Sequence, residues 1–220
     1  EIMPSLVGSE MCIRDRLLSA NYYNSRTTDM LYLYNVSVPP FTYNTLLANI
    51  GSMRNWGTEI AIGITPLKTK DMELNINANI TFQRNKLLSL SGMYNGEMLS
   101  ASEYKSLASL DGAGFHGGYN HIVYQMVGQP LGVFYLPHST GLESDGNGGY
   151  TYGIADLNGG GVSLEDGEDR YVAGQAVPKT ILGSNISFRY KRFDLSLQIN
   201  GAFGHKIYNG TSLTLSLIHI

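Results

Sequence analysis

Asp156, Asn158 and the glycines Gly159 to Gly161 come closest to a metal-ligand spacing in this chain. In a calcium loop of the EF-hand kind, oxygen ligands at positions 1, 3 and 5 converge around a glycine at 6, and a bidentate Glu at 12 completes the shell. Here Asp156 and Asn158 take positions 1 and 3 and Gly161 takes 6, but Gly160 at position 5 has no side-chain oxygen and Gly167 stands at 12. Asp166 or Asp169 lies close enough in sequence to substitute; the competing reading is a plain acidic turn. The neighbouring acids Glu165, Asp166, Glu168 and Asp169 read as a solvated loop, not as the convergent acid pair of a hydrolase. Gly112-Ala113-Gly114-Phe115-His116-Gly117 has the G-x-G-x-x-G spacing, which binds a pyrophosphate only where a strand precedes and a helix follows. More glycine and a β-prone stretch follow here, so a loop is expected. No histidine pair sits at helical spacing with a partner acid, and no G-x-S-x-G elbow occurs. Neither an enzyme nor a cofactor is expected. Tyr119, Tyr124, Tyr135, Tyr150 and Tyr152 have rings able to stack on a sugar or other ligand, or else to pack loops on one another.

The elements that carry these residues follow from composition and periodicity. Of 220 residues, 43 % are hydrophobic and only 15 % charged, with Gly 26 and Tyr 15. Globular proteins average about 25 % charged residues, so the polar surface is largely uncharged, and glycine with tyrosine suggests turns and long strands. The net charge of −3 argues against a nucleic-acid binder, which normally shows a basic stripe. No stretch approaches the roughly 20 apolar residues of a membrane helix. A membrane β-barrel stays open, because its strands alternate polar with apolar residues. The single cysteine, Cys12, rules out an internal disulfide.

Alternation with a period of two is clearest from Asp71 to Asn85, where Met72, Leu74, Ile76, Ala78, Ile80 and Phe82 oppose Glu73, Asn75, Asn77, Asn79, Thr81 and Gln83. Ile60, Ile62 and Ile64 behave alike in the preceding arm, and Pro66–Lys70 reads as the turn between the two. A second hairpin runs from Ile186 to Asn200, with its phase change at Lys191-Arg192. A further strand is expected within 17–34. Residues 86–180 form a glycine-rich excursion too long to lack structure of its own; it should hold strands at His121–Val127 and Leu131–Leu136 and a helical turn or two at Ser102–Leu110.

Such strands fit a soluble β-sandwich or a membrane barrel. Alternation sustained over about ten residues matches the length of a tilted membrane strand. The polar face is mostly Asn, Ser, Thr and Gln, and aromatics (Trp56, Tyr190, Phe193) sit near strand ends, where an interfacial girdle would put them. Short turns on one side and one long excursion on the other add to the barrel reading. Ile60, Ile62, Ile64, Leu74, Ile76, Ile80, Phe82, Leu195, Leu197 and Ile199 are then expected to face lipid. Asn75, Asn77, Asn79, Gln83, Gln198 and Asn200 are expected to line the lumen.

The chain starts with Glu1, and residues 1–16 lack the basic start and apolar run of a signal peptide. They resemble translated sequencing-adapter sequence, with Leu215 to Ile220 as its counterpart; an ordinary irregular terminus is the alternative. On the first reading the natural barrel segment spans 17–214.

Several stretches, in order, resemble a known family. They are Tyr22 to Leu31, Asn49 to Glu59, Phe82 to Leu90, Gly128-Gln129-Pro130-Leu131-Gly132-Val133-Phe134-Tyr135, Asp156 to Gly159, Gly174 to Lys179, Tyr190 to Leu195 and Gly204 to Asn209. Together they are similar to successive strand and loop signatures of the SusC/RagA family of TonB-dependent outer-membrane transporters. The resemblance implies antiparallel strands of a large plugged transmembrane β-barrel, open in this chain, from the C-terminal half of the barrel. It also implies uptake of a bulky nutrient, typically an oligosaccharide and sometimes a peptide. The partners it implies are outer-membrane lipids, a SusD-like surface lipoprotein, and TonB with ExbB and ExbD acting through a plug not seen in this chain. The family's acidic turn residue is replaced by Gly160, which weakens a metal site. The alternative is a soluble or surface-attached β-sandwich that binds glycans through its tyrosine-bearing loops.

Overall fold

The computed structural model describes residues 2–12, 16–109, 121–144, 146–165 and 167–211, with side chains from residue 16 onward except at 108, 109 and 151. The motif at Gly112–Gly117, Tyr119, Asp166 and the segment 215–220 lie outside the described residues. Contacts divide the chain into two compact units, Glu1–Leu99 with Pro178–His205, and Ser100–Val177 with Lys206–Ile220.

The first unit is built on one antiparallel sheet. Its strands are β1 (Ile2–Cys12), β2 (Arg16–Asn35), β3 (Thr45–Lys68) and β4 (Met72–Ser89). Two further strands, separated from these in sequence by the excursion, complete it. The small hairpin of β5 (Ser91–Tyr94) and β6 (Glu97–Ser100) follows β4; within the second unit come β7 (Tyr104–Ser109), β8 (His121–Met126), β9 (Val133–Pro137), β10 (Ser139–Ser144), β11 (Tyr150–Ile154) and β12 (Arg170–Gln175). The chain then returns to the large sheet with β13 (Thr180–Tyr190) and β14 (Phe193–Phe203), giving the order β1-β2-β3-β4-β13-β14. The second unit carries a four-stranded sheet in the order β12-β9-β8-β7 and a β10-β11 hairpin.

Three local readings differ from the sequence expectation. The turn after the first long arm is Thr69 to Asp71, not Pro66–Lys70. β3 runs on to Lys68 through a register shift between Ile64 and Leu67. A bulge tolerates proline because it breaks the ladder where the missing N–H would be needed, and it moves Leu67 opposite Leu74 and Lys68 opposite Glu73. The Thr69 hydroxyl accepts the Met72 N–H at 3.0 Å and closes the turn. Ser102–Leu110 forms no helical turn among its described residues; Tyr104–Ser109 is a strand paired with β8, because Tyr104 packs against the sheet core and so short a helix is marginal without such packing. Finally, β3 begins at Thr45, well ahead of Trp56.

The second hairpin turns at Lys191-Arg192, where Lys191 takes a φ of 53°, the left-handed conformation that two-residue hairpins require. In the second unit Tyr124, Met126, Val133 and Tyr135 form the core, with Tyr104 and Val172 packed on it.

Candidate functional site

The large sheet has two chemically different faces because the alternations on β3, β4, β13 and β14 are in register with one another. Ile64, Ile76, Ile186 and Leu197 fall in one cross-strand row, and Ile60, Ile80 and Leu182 in another. A soluble sandwich would cover these residues with a second sheet, yet Ile62 and Phe82 are 41 % and 40 % exposed. The face is bounded at both ends by aromatics. Tyr22, Phe82 and Phe203 mark one level, with Trp56 one row beyond, and Tyr190 and Phe193 stand opposite each other at the other end beside Met72. The ten steps from Met72 to Phe82 rise about 34 Å along the strand, or about 24 Å along the normal at a tilt of about 45°, which matches the apolar band of a membrane barrel.

The opposite face is a ladder of amides. Gly63, Asn77, Asn185 and Gln198 share a row, as do Ala61, Asn79, Gly183 and Asn200. A Cβ on Gly183 would meet the Asn79 Oδ1 at 2.4 Å, so the glycine makes room for the amide. Nearer the short turns, Lys68, Glu73, Arg189 and Asp194 alternate in sign across four strands. Arg189 pairs with Glu73, the Asn75 amide donates to Glu73 at 3.1 Å, and Thr65 donates to Asn75 at 2.7 Å. Gln83, also on this face, donates to the Pro178 carbonyl at 2.9 Å.

The excursion residues singled out in sequence do not converge on one site. Tyr124 and Tyr135 are buried, their rings edge to face at 5.3 Å. The guanidinium of Arg170 lies over both rings, 4.7 Å from each centroid. Arg170 is 5 % exposed; it donates through Nη1 to the Tyr124 hydroxyl at 2.7 Å and through Nη2 to the carbonyls of Tyr135 and His121 at 2.8 and 2.9 Å. Those two tyrosines therefore build the platform. Tyr150 is 64 % exposed and Tyr152, half-buried, lies two residues along the same strand.

Asp156 and Asn158 turn their oxygens to the local backbone. Asp156 accepts from the N–H groups of Gly159 and Gly161 at 2.6 and 3.0 Å, and Asn158 from that of Gly160 at 2.8 Å. Among the described residues no three His, Cys, Asp or Glu side chains converge as a metal shell would need.

The acidic stretch requires a correction. Asp169, expected in a solvated loop, is fully buried. Its carboxylate accepts the N–H groups of Ser163 at 2.8 Å, Leu157 at 2.5 Å and Asn158 at 3.3 Å. These bonds, Ser163 first, hold its carboxyl below the usual carboxylate range. Arg170 was also missed. The only sequence signal for the pair was an adjacent acid and base opening the strand Arg170-Tyr171-Val172.

No protein-family model matches the chain. It is 29 % identical to the TonB-dependent receptor P26 of Formosa agariphila over 86 % of this chain and 18 % of that protein. It is 25 % identical to the TonB-dependent receptor SusC of Bacteroides thetaiotaomicron over 84 % of this chain and 17 % of that protein. Its fold superposes on the RagAB peptide transporter with a TM-score of 0.56 at 19 % identity, covering 86 % of this chain and 19 % of the other. A structure of the RagAB peptide importer in its closed-closed state gives a TM-score of 0.60 at 18 % identity, over 87 % and 19 %. The chain spans about a fifth of the length of the relatives it matches, and these are named as receptors and transporters, not enzymes. In sequence the chain is similar to TonB-dependent receptors, SusC among them, and in fold, antiparallel strands in an open sheet, it is similar to part of the RagAB transporter.

Proposed function

We propose that this chain is part of the wall of an outer-membrane transporter that imports a bulky nutrient, with energy supplied through TonB and a SusD-like surface lipoprotein as partner. The supporting observation is the uncovered apolar face, about 24 Å tall between its aromatic levels, in a chain similar to TonB-dependent receptors over most of its length. On this reading the amide face lines the lumen. An oligosaccharide is the cargo proposed first, with the exposed ring of Tyr150 and the half-buried one of Tyr152 as stacking surfaces, since aromatic rings suit the faces of sugars. A peptide is the second reading, favoured by the likeness to the RagAB peptide transporter.

Fractionation of cells expressing the full-length receptor tests the placement. The protein is expected in the outer-membrane fraction, with a mobility on gels that changes on boiling as folded barrels do. Recovery in the aqueous fraction without detergent would overturn the reading. Uptake of labelled oligosaccharide against labelled peptide, in cells carrying the receptor with its lipoprotein or the receptor alone, tests cargo and partner.

A further inference from the structure

Arg26 of β2, Arg54 of β3 and Lys86 of β4 stand in a single cross-strand row, Arg26 opposite Arg54 and Arg54 opposite Lys86. Arg84 is two residues from Lys86 on the same strand and face, opposite Trp56. All four are exposed, and all four lie on the apolar face of the sheet. They sit one to two rows beyond the aromatic level of Tyr22 and Phe82, Arg84 level with Trp56 and the other three one row further, on the side away from the short turns.

A row of like charges is an unfavourable thing to build. Directly opposed side chains in a sheet have Cβ atoms about 5 Å apart, and like charges there repel. No carboxylate offsets them: among the described residues none of the four cations forms an ion pair, and Glu59 lies on the other face. Arg84 donates to the carbonyls of Gln83 and Lys179 at 2.7 and 2.9 Å. Arg54 is held in place, its Nε donating to Asn24 Oδ1 at 2.8 Å and its guanidinium carbon 5.2 Å from the Trp56 ring centroid. That arrangement occupies Nε and leaves the Nη groups without a hydrogen bond among the described residues. Arg26 and Lys86 have no hydrogen-bond partner among the described residues.

The row is about 10 Å wide across three strands, and a guanidinium fork matches a phosphate in two parallel hydrogen bonds. We propose that Arg26, Arg54 and Lys86, with Arg84 beside them, form a site for the phosphate of a lipid headgroup in the leaflet on the long-loop side. This rests on the membrane-wall reading above, because only a membrane brings lipid phosphate to the level just outside the aromatic girdle. The lipid phosphate neutralises the repelling row, and its chains continue down over Phe82, Ile80 and Ile62. Charge and grease thus recognise the two ends of one molecule.

The test uses the full-length receptor, delipidated in neutral detergent and reconstituted into phosphatidylcholine nanodiscs with increasing mole fractions of lipid A, a glycolipid carrying two phosphates. The melting temperature is the readout. Half-maximal stabilisation by lipid A is expected at a mole fraction about a hundredfold lower for the natural receptor than for the triple variant Arg26→Gln, Arg54→Gln, Lys86→Gln, from a contribution of roughly fivefold per cation near an anionic surface. Dephosphorylated lipid A should not stabilise either protein. Mobility before and after boiling reports whether each protein is a folded barrel, so a failed membrane reading is seen separately from a failed lipid site. If the triple variant does not fold, the single variant Lys86→Gln, about fivefold weaker on the same basis, replaces it. Equal response of folded natural and variant receptors overturns the proposal. So does equal stabilisation by millimolar inorganic phosphate, which would make the row a site for free anions.

Discussion

Ile76 of β4 stands directly opposite Ile186 of β13, and one step away Asn77 stands opposite Asn185. The whole excursion separates the two strands in sequence, yet their faces agree at most paired positions, with Ile181 opposite Thr81 and Ser184 opposite Ala78 among the exceptions. A slip of one residue would put isoleucine against amide along the full length of the pair. This agreement gives the wall one apolar and one polar side, and it can be tested one face at a time.

Ile76→Arg places a charge on the apolar face near mid-band, where it should cost about 2–4 kcal/mol. Asn77→Arg, on the neighbouring position of the amide face, should cost much less. Urea unfolding of the full-length receptor in liposomes measures both, and equal losses would contradict the assignment of faces.

Gly57 is a point of close backbone approach in the large sheet. A Cβ there would lie 2.4 Å from the Phe82 carbonyl oxygen and 2.6 Å from the Tyr23 hydroxyl. Because the first of these is backbone, rotating a side chain cannot relieve it. Gly57→Ala is expected to destabilise the barrel by about 1–3 kcal/mol, as other overpacked sites do. A melting temperature equal to that of the natural receptor would show that β4 yields freely.

Arg170→Met keeps the bulk of the side chain between Tyr124 and Tyr135 but removes the donors to Tyr124, His121 and Tyr135. Hydrogen bonds from a charged donor are worth about 1.5–3 kcal/mol each, so a loss of about 3 kcal/mol or more is expected in the stability of the excursion. Arg170→Lys should recover only part of it, since an ammonium cannot span the same acceptors as a fork. The rate of cleavage by a glutamate-specific protease after Glu165 or Glu168 reads the effect.

Asp169 makes the same region sensitive to acid. Its carboxyl is held low by the N–H groups of Ser163, Leu157 and Asn158, so the folded value lies below the unfolded value of about 3.9. The stabilisation is therefore present above that pH and lost as pH falls through the folded value. Amide exchange at Leu157, Asn158 and Ser163, corrected for intrinsic rates, should stay slow at pH 5 and 7 and speed up below about pH 4. In Asp169→Asn the exchange should be faster at neutral pH and show no such step.

Tyr150→Ala is expected to weaken capture of an oligosaccharide while leaving the mobility shift of the barrel intact, because the exposed ring supports no core. Tyr124→Ala should damage the fold of the excursion itself. Cargo binding and proteolytic resistance, measured together on both variants, separate the roles.

The amino-acid sequence alone determined that the chain is all β, which residues share a face, and where the tight Lys191-Arg192 turn falls, because period-two alternation is a local property that needs no knowledge of partners. Those same alternations showed the apolar and amide faces residue by residue. Tertiary structure decided what depends on partners distant in the chain. It set β4 against β13, carried β3 past Pro66 through a bulge, and made Tyr104–Ser109 a strand by giving it β8 to pair with. It buried Asp169 in a stretch that reads as solvated, since three backbone N–H groups arranged around a carboxylate leave no mark on composition. The cation row of Arg26, Arg54 and Lys86 exists only in the register of three strands; in sequence these are three unrelated residues, and it is hydrogen bonding between the strands that makes them neighbours.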